Sequence, residues 1–155
     1  KDGLELAKEY AIPKVLRNFI ASHHGTTLVE YFFQAAREQA ATEGGEVEEF
    51  EYRYPGPKPQ TRETAILLLC DGIESAARTM TDPTPSSIEA LVRRMSRRRL
   101  DDGQLNESPL SFNELRIIED SIIKSLCAIY HSRIAYPAQE DDTTDNTIEP
   151  RIANS

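Results

Sequence analysis

Apolar residues recur at helical spacing along most of the chain, and this pattern predicts an all-α fold. A clear helical pattern covers residues 14–24, with apolar side chains on one face and Gly25 as the C-terminal cap. A helix over 61–80 is apolar on most of its sides between 65 and 73. Such a helix is expected to be surrounded by others. We therefore expect helices 14–24, 27–42 and 61–80 to form the packed centre.

The helix predicted over 27–42 has its own start signal. Thr27 and Glu30 match a capping box, in which each side chain bonds a backbone N–H near the other residue. The helix should bury one stripe of apolar side chains, which comprises Leu28, Val29, Phe32, Phe33 and Ala36.

Capping signals also place the last two helices. Thr84 and Pro85 are typical of a helix N-terminus, because proline suits the first helical position. Ser111 and Glu114 form another capping box before the last helix, whose apolar pattern continues to about Ser132.

Length and charge limit the functions to consider. The 155 residues suffice for one domain with a sizeable core. The net charge of −8 argues against nonspecific binding to nucleic-acid polymers or anionic lipid, but allows a small anion in a locally positive pocket. Cys70 and Cys127 lie in apolar runs and are expected to be buried free thiols. No apolar run approaches the roughly 20 residues that span a bilayer.

Adjacent histidines at a predicted helix end, His23 and His24, are candidate metal ligands, because imidazoles on a rigid element suit transition metals. Neighbouring helical residues point about 100° apart. One histidine could therefore face the core or a substrate phosphate while the other binds metal. Asp71 strengthens the prediction, because a carboxylate buried in an apolar helix is unfavourable unless it is paired or bound to metal. An ion pair or capping bond with another helix is the alternative for Asp71.

Two further features are compatible with nucleotide binding. The loop from Tyr54 to Gln60 contains three prolines, which exclude a helix. It is either a rigid connector or a pocket wall, with Tyr54 to stack on a base and Lys58 to meet a phosphate. The arginines between 93 and 99 form a solvated face or a partner contact, or they attract phosphate.

Four motifs occur in order: His23-His24-Gly25-Thr26-Thr27, Tyr54-Pro55-Gly56-Pro57-Lys58-Pro59-Gln60-Thr61, Asp71-Gly72-Ile73-Glu74-Ser75-Ala76 and Tyr130-His131-Ser132-Arg133-Ile134. Together they resemble the cytosolic HD domain of bacterial seven-transmembrane HD phosphodiesterases, which hydrolyse cyclic di-AMP. The resemblance covers residues 1–137 and implies an all-α, HD-domain-like helical bundle. Residues 138–155 are predicted to be a polar acidic tail. The parent would be a bacterial inner-membrane protein with this domain in the cytoplasm.

The family pattern has seven ligand positions, which hold two divalent transition-metal ions, iron or manganese. His23 and His24 match its paired histidines, and Asp71 matches its final aspartate. The other four positions are expected upstream of Lys1, so this chain would be the C-terminal portion of the domain without its N-terminal helices. Weaker predictions for nucleotide contact are Tyr54, Lys58 and Gln60.

The implied reaction is metal-assisted hydrolysis of cyclic di-AMP to a linear adenylate dinucleotide. No catalytic residue is predicted beyond the metal ligands, and the fragment alone is expected to be inactive. A homodimer is left open, and membrane contact is expected only through segments of the parent outside this chain. The alternatives are a non-catalytic helical signalling or dimerisation module, and an HD hydrolase that acts on another substrate such as cyclic di-GMP.

Overall fold

In the computed structural model, residues 2–131 are described, and within them the chain is helical with no β-strand. The elements are α1 Asp2–Glu9, α2 Lys14–Ser22, α3 Glu30–Glu43, a 3₁₀ turn Glu49–Tyr52, α4 Arg62–Ala77, α5 Pro85–Asp101 and α6 Phe112–His131. The predicted tail over 138–155, the predicted domain end at Pro137 and the last three residues of the fourth motif lie outside the described residues. Within 2–131, no helix combines the length and apolarity needed to cross a membrane.

The hydrophobic core lies among α4, α5 and α6. Leu68 and Leu69 of α4 are each 1% exposed, and they pack with Ile88 and Val92 of α5. Within the described residues, the buried members of this cluster are Ala65, Leu68, Leu69, Ile73, Ala77, Ile88, Leu91, Val92, Leu105, Leu115 and Leu126. At the far end of the core, the Tyr130 hydroxyl donates a 2.8 Å hydrogen bond to the Ala77 carbonyl.

Local capping chemistry starts each of the three core helices. The Thr84 side chain accepts from the Ser87 backbone N–H at the start of α5, as predicted. Glu114 accepts from the Ser111 backbone N–H at 2.8 Å, so the predicted capping box before α6 is also confirmed. Thr61 caps α4 in the same way.

The arginine run of α5 is largely engaged in ion pairs within the chain. Arg93 pairs with Glu119 and with Asp120 of α6, the latter at 2.7 Å. Arg98 pairs with Glu30 and so connects α5 to the start of α3. These contacts favour the solvated-face interpretation of the run.

The prediction that the first two long helices belong to the packed centre is wrong. On α2 only Ser22 is buried, and Val15 is 67% exposed. On α3 no residue is buried, and Phe32 is 61% exposed. The helix α2 contacts α1 and α4, and α3 contacts the 3₁₀ turn, but among residues 2–131 no element covers the apolar side chains that stay exposed on these two helices.

The capping box predicted at Thr27 is also wrong. The Thr27 hydroxyl donates to the His24 carbonyl at 2.8 Å, and Glu30 pairs with Arg98. The reason is local pairing: Leu28 forms an antiparallel bridge with Arg53, which keeps this backbone extended. The helix therefore begins at Glu30 rather than at Thr27.

Candidate metal centre

The turn after α2, residues 23–26, carries the paired histidines and brings them next to α4. We call this segment the histidine turn. The helix ends at Ser22, and Gly25 adopts φ +55° in the left-handed region, as predicted for a C-terminal cap. The chain then runs beside the segment that follows the 3₁₀ turn, where the Tyr54 N–H donates to the Thr27 carbonyl at 3.0 Å. This pairing places the Tyr54 ring against His24.

His24 and Asp71 lie in direct contact. His24 Nδ1 is 3.3 Å from Asp71 Oδ2, and the His24 ring stacks on Tyr54 with centroids 4.3 Å apart. Asp71 is 40% exposed, so the expectation of a buried carboxylate is wrong. It lies on the side of α4 that faces the histidine turn, outside the core formed by α4, α5 and α6. The desolvation argument for Asp71 therefore does not apply, and its observed partner is His24.

His23 is oriented by the backbone of its own helix. Its Nδ1 lies 3.1 Å from the Phe19 carbonyl oxygen and 3.0 Å from that of Ile20. Carbonyl oxygens can only accept, so Nδ1 carries the hydrogen and Nε2 of the neutral ring keeps its lone pair. A ring nitrogen held in this way is the usual arrangement behind a metal-ligating imidazole. The centroids of the two histidine rings are 4.0 Å apart.

The surroundings of His24 favour its neutral, ligand-competent form. Burial and the neighbouring His23 lower the pKa of His24 below its usual 6.5, and these effects outweigh the opposite influence of Asp71. A transition metal competes with a proton for an imidazole nitrogen. A lowered pKa therefore leaves His24 available to a metal at neutral pH.

Arg99 of α5 adds positive charge beside this pair. Its guanidinium lies over Gly72, where a Cβ would come within 3.1 Å of Nη2, so glycine next to Asp71 leaves room for it. Burial and the nearby Arg98 lower the pKa of Arg99. Its Nε is buried without a hydrogen-bond partner in the described residues. Sequence analysis placed Arg99 in a general arginine run and missed this position.

The predicted nucleotide contacts line two different pockets. Tyr54 lines a pocket of about 240 Å³ together with His23 and His24. Lys58 and Gln60 line a separate pocket of about 130 Å³. Gln60 also donates to Glu107 at 3.3 Å. The structure therefore brings Tyr54 to the histidines but not Lys58 or Gln60, and nucleotide contact by all three stays a prediction.

The donor chemistry at the histidine turn fits a divalent transition metal, because imidazole and carboxylate groups converge there. Within residues 2–131, however, no group of three or more His, Cys, Asp or Glu side chains is arranged to hold an ion. His24 and Asp71 provide two neighbouring donors, with His23 beside them. Metal ligation by His23, His24 and Asp71 therefore stays a prediction.

Both cysteines are free thiols, as expected, but each is only partly buried. Burial raises the pKa of Cys70. Neither cysteine belongs to the histidine turn, and the thiols add no ligand to the candidate centre.

No protein-family model matches the chain. Among curated proteins, it is 44% identical over 140 residues to the cyclic-di-AMP phosphodiesterase PgpH of Bacillus subtilis (strain 168), an alignment that covers 88% of this chain. It is 41% identical over 141 residues, or 91% of this chain, to PgpH of Listeria monocytogenes serotype 1/2a (strain 10403S). The chain spans about a fifth of the length of these relatives, 19% in each case.

Among solved structures, the chain is similar to the L. monocytogenes PgpH HD domain in complex with cyclic-di-AMP, with a TM-score of 0.78 and 40% identity. The match covers 83% of this chain and 58% of that one. The all-α, HD-domain-like fold expected from the motifs is thereby confirmed. Because sequence and fold agree over most of the described residues, this chain belongs to the family of PgpH HD domains.

Proposed function

We propose that this chain forms part of a metal-dependent phosphodiesterase domain that hydrolyses cyclic di-AMP to a linear adenylate dinucleotide. The observation that carries the proposal is the convergence of His24 and Asp71, whose Nδ1 and Oδ2 atoms lie 3.3 Å apart. Family membership supports it, since two relatives are named cyclic-di-AMP phosphodiesterases.

In the proposed function, the residues at and beside the histidine turn bind metal or substrate. His23, His24 and Asp71 hold divalent transition-metal ions, with His23 oriented through its Nδ1–H and its helix backbone. Such ions, iron or manganese in the expected pair, supply Lewis acidity for attack on a phosphodiester. Tyr54 offers a ring face for an adenine base.

Arg99 supports the choice of an anionic substrate. Its guanidinium lies beside Gly72, next to Asp71, and its Nε has no partner in the described residues. A fixed positive charge next to a metal centre attracts a phosphodiester electrostatically. Lys58 and Gln60 are proposed as weaker contacts, because they line a neighbouring pocket rather than that of Tyr54.

We further propose that the four ligand positions without a counterpart here lie on a segment outside this chain. The chain spans 58% of the solved HD domain, which leaves room for such a segment. The expectation of a cytoplasmic domain carried by a membrane-anchored parent belongs to the same proposal. Protease accessibility of the full-length protein in intact membrane vesicles would test that expectation.

The test is cyclic di-AMP hydrolysis by the complete domain with added Mn²⁺. Asp71→Ala should lose bound metal and activity with little loss of helicity, because it removes a ligand and leaves the core intact. Asp101→Ala is the matched control, since Asp101 pairs with Arg97 on the surface of α5. Full metal occupancy in Asp71→Ala would refute the assignment.

The same assay separates the alternatives. A non-catalytic signalling or dimerisation module would bind no metal and show no turnover even as the complete domain. A hydrolase for cyclic di-GMP would be revealed by competition, because that nucleotide would then displace cyclic di-AMP at lower concentration.

A further inference from the structure

Gln104 follows α5 and reaches the turn that carries the histidines. It is fully buried, with 0% of its surface exposed. Its Oε1 accepts from the Thr26 backbone N–H at 2.9 Å, and its Nε2 donates to Asp102 Oδ2 at 2.9 Å. A backbone N–H can only donate and a carboxylate can only accept, so these partners fix the orientation of the amide.

Thr26 is held at both of its backbone polar groups. Gln104 accepts from its N–H, and Arg53 Nη1 donates to its carbonyl at 2.7 Å. Arg53 Nη2 in turn donates to Asp102 Oδ1 at 2.8 Å. We call Gln104, Asp102 and Arg53 the Thr26 clamp.

The ionised carboxylate of Asp102 holds the clamp together. Burial alone would raise the pKa of Asp102, but hydrogen bonds from Arg53 and Gln104 outweigh it and keep that pKa below its usual value. The same contacts with Asp102 and Glu49 raise the pKa of Arg53. The clamp is therefore a charged, mutually satisfied network rather than a set of single bonds.

The clamp acts close to His24. Only Gly25 separates His24 from Thr26, and a Cβ on Gly25 would come within 2.5 Å of Gln104 Oε1. The Thr27 hydroxyl bonds the His24 carbonyl on the other side. The backbone that carries the His24 ring is thus packed against the Gln104 amide at Gly25 and anchored to it at Thr26, two residues after His24.

We propose that Gln104 is a positioning residue for His24. It does not contact the metal, but it holds the turn so that the His24 ring faces Asp71 and stacks on Tyr54. The inference rests on the proposed function in that His24 is taken as a metal ligand. Residues that orient a ligand typically affect metal affinity by roughly 10- to 100-fold.

The test compares Gln104→Met with the unaltered chain by NMR of the histidine rings. Methionine keeps the length of the side chain but makes none of the hydrogen bonds. Stacking on Tyr54 displaces the chemical shifts of the His24 ring protons. In Gln104→Met these shifts should move at least halfway towards those of an exposed histidine. Gln39→Met is the control, because the exposed Gln39 side chain on α3 donates a hydrogen bond to Glu43.

Core methyl signals from α4, α5 and α6 should stay dispersed, which separates loss of positioning from unfolding. If Gln104→Met does not fold, Gln104→Asn decides, because the shorter side chain keeps a buried amide but cannot reach the Thr26 N–H and Asp102 Oδ2 together. Unchanged His24 signals in the folded variant would overturn the proposal.

Titration with Mn²⁺ in the same samples tests the link to metal. Broadening of the His24 signals should require roughly 10- to 100-fold more Mn²⁺ in Gln104→Met. If no broadening at His24 occurs in the complete domain either, the metal function fails, while the signal positions still decide whether Gln104 positions the ring.

Discussion

At the scale of single residues, the candidate centre depends on a backbone conformation that few residues adopt. Gly25 has φ +55°, and the Gln104 amide occupies the space that a side chain would need. Glycine therefore serves both the turn and the packing behind His24.

Gly25→Ala should destabilise the fold by about 2–4 kcal/mol, because left-handed strain and a steric clash add together. Ala11→Gly is the matched control, since Ala11 already has φ +51° and is exposed. It should instead stabilise the chain by about 1 kcal/mol at most, through relief of strain alone. Urea unfolding of both variants measures the difference, and equal small effects would contradict the packing role of Gly25.

At the scale of elements, the Thr26 clamp joins the end of α5 to the histidine turn. Asp102→Asn should lower stability by about 1–3 kcal/mol at pH 7, because a neutral amide is a weaker acceptor for Arg53. The folded pKa of Asp102 lies below its ordinary 3.8, so its stabilisation is present above that value and is lost as pH falls through the folded pKa.

Urea unfolding at pH 7 and below pH 4 checks this prediction. The difference in the free energy of unfolding between Asp102→Asn and the unaltered chain should be smaller at the lower pH. Asp101→Asn, on the exposed side of the same helix end, should change stability by less than about 0.5 kcal/mol. A difference that is constant across this pH range would count against the ionic role of Asp102.

The helices and the site differ in how far sequence could predict them. The starts of α5 and α6 follow from residues three positions apart, so local reasoning sufficed. The burial of α2 and α3 depends on what packs against them, which periodicity does not reveal. Likewise, the motifs identified His24 and Asp71, but the bond from Gln104 to Thr26 joins residues 78 apart and follows only from the fold.

At the scale of the whole molecule, apolar side chains remain exposed on the first three helices. The large exposed side chains there are Leu6, Val15, Leu16, Ile20, Tyr31 and Phe32, and Tyr10 follows directly after α1. Apolar patches of this kind favour association in water. The core of α4, α5 and α6 can fold without covering them.

We therefore expect the 155-residue chain to associate at micromolar concentration in analytical ultracentrifugation. Replacing Leu16 and Phe32 together by serine should shift it towards monomer. Phe112→Ser is the control, because Phe112 is more exposed than either, at 78% against 51% for Leu16 and 61% for Phe32, but belongs to α6. A compact monomer at all concentrations would show that these faces do not drive association.

The central claim is that His24 and Asp71 hold a metal ion. The most direct measurement is anomalous scattering at the manganese edge from crystals of the complete domain grown with Mn²⁺. We predict a peak at roughly 2.0–2.3 Å from an Asp71 oxygen or a ring nitrogen of His23 or His24. Occupied manganese sites with none of these three side chains as a ligand would contradict the account.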